Sequence, residues 1–204
     1  MSYSIDAITD GCYENTTCLI NKFDIRDEDK LKKVEADITF AKATILESNP
    51  ISDKFDLEHY KAIHRFLFED IYDWAGTFRT VDMAKKGTSF CSEDQLEDVA
   101  RNCFDRLAEN NLFSDLDRDE FVDAVVDFYC VTNMLHPFRE GNGRTQRIFI
   151  SQLIHHNGYD FDFSDIDSDD LMIATIQAAN GVTDFLKQLF DENISAQSNE
   201  ITMI

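Results

Sequence analysis

His136-Pro137-Phe138-Arg139-Glu140-Gly141-Asn142-Gly143-Arg144-Thr145-Gln146-Arg147 is the stretch on which the reading of this chain turns. It lies between two apolar runs of helical period. Upstream, Asp117 and Glu120 form a helix-start signal, and Phe121, Val125, Phe128 and Val131 recur on one face to about Leu135. Downstream, Gly143 to His156 carries Ile148, Phe149, Leu153 and Ile154. The two glycines let the joining loop turn tightly and bring N–H groups close to a ligand. The helix beginning near Gly143 aims its unpaired amides and positive dipole end at the same place, which makes an anion pocket.

The side chains of the stretch extend that reading. Arg144 and Arg147 sit three apart in the first helical turns and are expected at the pocket rim. Two guanidinium forks there suit a polyphosphate. Glu140 is the only acid of the segment. Beside phosphates it needs an intervening cation, and Mg²⁺ held by one carboxylate and phosphate oxygens fits. His136 has the ordinary pKa, about 6.5, of a base at neutral pH. Base, metal ligand, anion nest and arginines are the parts that phosphoryl-type transfer needs. The same residues also fit a plainer arrangement: a His ending a helix before Pro, a glycine loop, and surface arginines. A Walker A loop is excluded, because Gly-x4-Gly-Lys-Ser/Thr is missing.

Outward from this core the punctuation is mostly helical. Leu31, Val34, Ile38, Ala41 and Ile45 predict a helix over about 27–48, stopped by Asn49-Pro50. Asp56 caps a second, running to about Tyr72. Residues 77–91 break the pattern: Val81 and Met83 alternate with Thr80 and Asp82, and Lys86-Gly87 marks a turn, so a β-hairpin is expected. Ser92 with Gln95 predicts a capping box for a helix to about Asn110. Ser168 caps a helix to Ala179, and a last one runs from about Val182 to Asp191. The fold expected is mostly α, a helical bundle with one inserted hairpin, divided as an N-terminal arm (1–24), a domain (25–193) and a tail (194–204). His59, His64, His155 and His156 read as packing or surface residues, and Trp74 and most Phe as core.

Composition narrows the function classes. The chain has 204 residues, 43% hydrophobic with 17 Phe, enough for one cored domain. A net charge of −21 repels nucleic acid. No apolar run approaches membrane-spanning length and the first residues lack a signal-peptide pattern, so a cytoplasmic location is expected. Five cysteines without CxxC spacing fit a reducing compartment and argue against zinc, as does the missing HExxH.

Residues 136–147 fill every position of HPFx(D/E)GNGRxxR, the signature of the Fic family. Phe55-Asp56-Leu57, His64-Arg65-Phe66-Leu67-Phe68, Tyr72-Asp73-Trp74-Ala75-Gly76 and Arg79 also resemble that family's region ahead of its flap hairpin. The resemblance implies a protein adenylyltransferase that moves AMP from ATP to a hydroxyl side chain and releases pyrophosphate. It implies His136 as base, Phe138 as loop anchor, and Glu140 as Mg²⁺ ligand. Gly141, Asn142 and Gly143 would cradle the α- and β-phosphates, and Arg144 and Arg147 would hold the β- and γ-phosphates. Lys86 and Gly87 would touch the nucleotide. Residues 77–91, with Arg79, Val81 and Met83, would form the flap that docks a target segment by β-augmentation. The family's kinase branch has Lys where this chain has Gly143, so Gly favours AMP transfer. Many relatives carry an inhibitory helix, (S/T)xxxE(G/N); no Glu of this chain fits it, so the chain resembles the toxin class silenced by a separate small antitoxin. Family analogy names type II topoisomerase subunits as targets. The alternatives are transfer of another nucleotide, removal of AMP, a non-catalytic partner-binding module, or the Fic part of a longer effector delivered into another cell.

Overall fold

The computed structural model describes residues 10–85 and 87–197. Seven α-helices account for most of them, and acidic caps start four of the helices. Helix α1 (Glu28–Ser48) begins where the Asp27 carboxylate accepts the Lys30 N–H at 3.0 Å. Its buried face is Leu31, Glu35, Thr39 and Leu46 rather than the expected apolar stripe, and Ile45 is exposed. Two polar residues therefore point inward on α1, and the active site explains why. Helix α2 (Leu57–Phe68) is capped by Asp56, which accepts the His59 N–H at 2.8 Å. It stops four residues short of Tyr72, because the chain then turns through Gly76, whose φ of +80° ends in a close approach to Arg65.

The hairpin is shorter than the break in pattern suggested. Strands β1 (Ala84–Lys85) and β2 (Thr88–Ser89) pair antiparallel, Ala84 opposite Ser89 and Lys85 opposite Thr88. Helix α3 (Leu96–Glu109) follows a 3₁₀ turn at Glu93–Gln95, and Ser92 makes no side-chain cap. Asp82 supplies the acceptor instead, taking the Glu93 N–H at 2.8 Å and tying the hairpin stem to the helix start. Helix α4 (Arg118–Leu135) opens on the expected Asp117–Glu120 capping box. Its Phe121, Val125 and Phe128 are buried, but Val131 is exposed.

Helix α5 (Asn142–His156) is the centre of the bundle and packs on α1, α2 and α4. Phe149, Ile150, Leu153 and Ile154 are wholly buried. Phe149 meets Phe55, Tyr60, Phe104 and Phe128 with ring centroids 5.4–5.8 Å apart, mostly edge to face, the arrangement that ring quadrupoles favour. Helix α6 (Ser168–Ala179) is capped by Asp167 rather than Ser168. Helix α7 (Asp184–Asn193) buries Leu186, Leu189 and Phe190. Ile194 is buried too, and β3 (Tyr159–Asp160) pairs with β4 (Ser195–Ala196), so residues 194–196 belong to the packed body. At the other end, residues 10–24 lie against the bundle: Cys18 is buried, and the Lys22 N–H donates to the Ile71 carbonyl at 2.8 Å. No helix among the described residues is long and apolar enough to cross a membrane.

Candidate active site

Helix α4 ends because His136 takes a left-handed conformation, φ 43° and ψ 56°, and Pro137 cannot continue a helix. The strained turn is held from outside. Arg79, buried in the hairpin stem, donates Nε to the His136 carbonyl at 2.9 Å and its backbone N–H to the Pro137 carbonyl at 2.8 Å. Its remaining donors reach the carbonyls of Val81 and Cys91. Phe138 is wholly buried, and its ring stacks on His64 at 3.7 Å. The Asn142 amide clamps the Phe138 backbone at both ends, accepting its N–H at 2.8 Å and donating to its carbonyl at 2.7 Å.

His64 completes the frame. The Gly76 N–H donates to Nδ1 at 2.8 Å, so Nε2 carries the proton and donates to the Glu140 carbonyl at 3.0 Å. Burial pushes its pKa down to about 3 and keeps that neutral tautomer. Gly141 starts α5 at φ 80°, and a Cβ there would stand 2.2 Å from the Phe68 ring. No side chain fits, so the backbone amides lie open at the helix start.

The frame presents His136, Gly143, Arg147 and the first-turn amides of α5 to one cavity of roughly 630 Å³. Lys85, Thr88 and Phe90 close it on the hairpin side, and Leu171, Met172 and Ile176 on the α6 side. The His136 ring stacks on Phe90 at 3.8 Å, nearly parallel. Desolvation pushes its pKa down to about 3, helped by the positive charges of Lys85 and Arg79, against a hydrogen bond to the Asn133 backbone. His136 is therefore held neutral at neutral pH, and negative phosphate charge brought into the cavity would raise its pKa toward the range a base needs. Arg147 is half-buried; burial lowers its pKa, the Tyr129 phenol raises it and Arg144 lowers it. A desolvated guanidinium with no carboxylate among these neighbours suits an incoming anion.

Arg144 departs from expectation. It turns away from this cavity toward α1, where Nη2 meets Glu35 Oε1 at 2.5 Å and Nη1 donates to Thr39 Oγ1 at 3.2 Å. The cause is Glu35, a buried carboxylate that needs a cation partner. Arg144 also touches Glu140 Oε1 at 3.3 Å. That oxygen accepts the Gly141 N–H at 2.8 Å as well, while Oε2 has no hydrogen-bond partner among the described residues. A single open carboxylate beside a cluster of amides suits Mg²⁺ shared with phosphates. Among the described residues no group of three or more His, Cys, Asp or Glu could hold a metal without such help.

Other expected residues fall as follows. The Asn142 side chain serves the loop, which leaves only its backbone for a phosphate. Gly87 is exposed at the hairpin tip and does not line the cavity; its neighbours Lys85 and Thr88 do. Lys86 lies outside the described residues. Arg79 and Met83, expected on the docking flap, are buried in its stem, and Val81 is half-buried. Arg79 acts as a strut, each of its three side-chain nitrogens donating to a backbone carbonyl. Glu35, Lys85 and Phe90 were not singled out by sequence, and His64, read as a packing or surface residue, is a buried packing residue that also hydrogen-bonds the loop; each reaches the site from a distant segment.

A Fic/DOC family model matches residues 54–154. The chain is 36% identical over 180 residues to protein adenylyltransferase VbhT of Bartonella schoenbuchensis, covering 88% of this chain but 38% of that longer protein. It is 32% identical to the Escherichia coli K12 protein named "Probable protein adenylyltransferase Fic", covering 90% of each. Among solved structures, the BepC effector of Bartonella tribocorum with bound AMPPNP superposes with TM-score 0.86 at 28% identity, over 92% of this chain and 97% of that one. The N-terminal Fic domain of a Bartonella quintana effector with bound ADP gives TM-score 0.88 at 30% identity, over 93% and 96%.

Proposed function

Because this chain belongs to the Fic/DOC family, we propose that it is a protein adenylyltransferase that moves AMP from ATP onto a hydroxyl side chain of a target protein. The observation that carries this reading is that His136, Gly143 and Arg147 line one cavity at the start of α5. The target hydroxyl attacks the α-phosphorus while His136 takes its proton. An O–P bond forms, the bond from the α-phosphorus to the bridging oxygen breaks, and pyrophosphate leaves. The amides of Asn142, Gly143 and Arg144 stabilise charge on the phosphate oxygens. Gly143 leaves this approach open. Arg147 holds the end of the triphosphate, and the apolar wall from α6 suits a base. Glu140 would hold Mg²⁺, which when bound neutralises phosphate charge. The nucleotides bound in the two Bartonella structures support this reading.

The target would add its segment to the short hairpin, whose stem Arg79 fixes to the catalytic loop. The reading places the protein in the cytoplasm, as the toxin half of a toxin–antitoxin pair acting on a protein such as a type II topoisomerase subunit. A second cavity, about 420 Å³, runs between α1 and α5 and reaches Arg147 from the other side, past Phe40 and Ala43. An antitoxin helix laid there could bring a Glu to Arg147 in competition with phosphate.

His136→Ala tests the base. Labelled AMP transfer from ATP to lysate proteins should fall about 10²–10⁴-fold. His136→Asn should fall as far while keeping the left-handed backbone, which Asn tolerates. Transfer within about tenfold of wild type in both variants would remove His136 from the chemistry.

A further inference from the structure

Glu35 lies on the buried face of α1, 109 residues before Arg144. It is 7% exposed, and both its oxygens are engaged: Oε1 by Arg144 Nη2 and Oε2 by the Tyr72 hydroxyl, each at 2.5 Å. We propose that Glu35 is a positioning residue for Glu140, acting by drawing Arg144 away from it. The inference rests on the metal role of Glu140 in the proposed function.

The geometry supports a competition between two carboxylates for one guanidinium. Arg144 Nη2 stands 2.5 Å from Glu35 Oε1 but 3.3 Å from Glu140 Oε1, so Glu35 holds the stronger contact. Thr39 Oγ1 gives its proton to the Glu35 carbonyl and accepts Arg144 Nη1, which fixes the plane of the fork. The Phe68 ring lies 4.8 Å beneath the guanidinium and closes its face. Held in this way, Arg144 meets Glu140 through one oxygen only, the same one that accepts the Gly141 N–H.

Charge gives the same answer. Glu35 and Arg144 cancel, so Glu140 keeps a full negative charge for a cation. Without the Glu35 charge, Arg144 would have Glu140 as its one close carboxylate. An arginine fork prefers a bidentate pair, which would occupy both oxygens and neutralise the group. The metal would then lose its protein ligand although no ligating residue had been changed, as happens when outer partners of a metal site are removed.

The test is Mn²⁺ binding to the full chain in the presence of AMPPNP, followed by electron paramagnetic resonance, which reads the metal apart from transfer activity. Glu35→Gln should weaken Mn²⁺ about 10- to 100-fold, while AMPPNP binding without metal stays as in wild type. Tyr72→Phe, which removes only a hydroxyl and keeps the ring stacked on Trp74 at 4.4 Å, should shift Mn²⁺ affinity less, in the same direction. It remains a test where Glu35→Gln fails to fold. Mn²⁺ affinity unchanged in a folded Glu35→Gln, or in Tyr72→Phe alone if the first does not fold, overturns the inference. Metal-free AMPPNP binding that tightens while Mn²⁺ affinity holds also overturns it, because Arg144 would then have been restrained from phosphate rather than from Glu140. Glu140→Gln separates the two levels. If it binds Mn²⁺ like wild type, the metal role beneath the inference fails with it. If Glu140→Gln loses Mn²⁺ and Glu35→Gln does not, only the inference fails.

Discussion

At Gly141 two demands meet in one residue. Its φ of 80° disfavours any side chain, and a Cβ would press on a Phe68 ring that is itself wholly buried. Phe68 cannot retreat, because it also stacks near His64 and lies under Arg144. Gly141→Ala should therefore cost about 2–5 kcal/mol, the sum of left-handed strain and overpacking. Urea unfolding measures it, and a loss under 1 kcal/mol would mean that the loop relaxes freely. The anion site of this loop was legible from sequence only through the full HPFx(D/E)GNGRxxR match, since the residue types alone also fit a helix stop, a glycine loop and surface arginines. Which arginine serves the cavity was not legible. Arg144 and Arg147 are equivalent by helical spacing, and only Glu35, placed by the packing of α1 on α5, distinguishes them. Glu35 itself was hidden because an acid beside an apolar stripe reads as solvent-facing until its partner is known.

Among the elements, the caps Asp56 and Asp117 were readable, because each is satisfied within its own first turn. The Ser92–Gln95 pattern misled because the hairpin stem supplies a better acceptor, Asp82, from ten residues upstream of Ser92. The hairpin was readable as a break in helical pattern, but not its shortness. Ahead of the strands the chain bends at Thr77, Thr80 and Val81, and Arg79 between them bonds the carbonyls of His136 and Val81. This makes Arg79 the link between flap and catalytic loop. Arg79→Met keeps the stem's bulk and removes the side-chain donors. It should speed hydrogen exchange over 77–91 and lower kcat by up to about 100-fold, as misplaced catalytic groups do. The KM for ATP should change little, because Arg147 and the α5 amides are untouched. A larger effect on KM than on kcat would place Arg79 at the nucleotide instead.

On the scale of the whole molecule, the bundle buries imidazoles inside an acidic surface of 40 carboxylates against 19 basic groups. His64 and His136 are each pushed down to about 3 by burial, and His59 is lowered by the same cause. In the unfolded chain each returns to about 6.5. Below that value the unfolded state binds protons that the folded state refuses, so stability must fall as pH falls. The contribution is fully present above pH 6.5 and is lost progressively toward pH 3. Relief of carboxylate repulsion works in the opposite direction, but it begins only near the carboxylate pKa values of about 4. Between pH 7.5 and 5.5 the histidines should therefore dominate. Unfolding free energy should drop by roughly 1.4 kcal/mol for each of His64 and His136 across that window. Urea curves at pH 7.5, 6.5 and 5.5 in 0.5 M NaCl, where surface charge is screened, measure it. His64→Gln is the control. Its amide can accept from Gly76 and donate to Glu140, so it should be less stable than wild type at pH 7.5 for want of the stacked ring, yet lose less on acidification. Equal pH slopes for the two proteins would show that His64 takes up its proton in the folded state, and the fixed tautomer on which the loop frame depends would have to be abandoned.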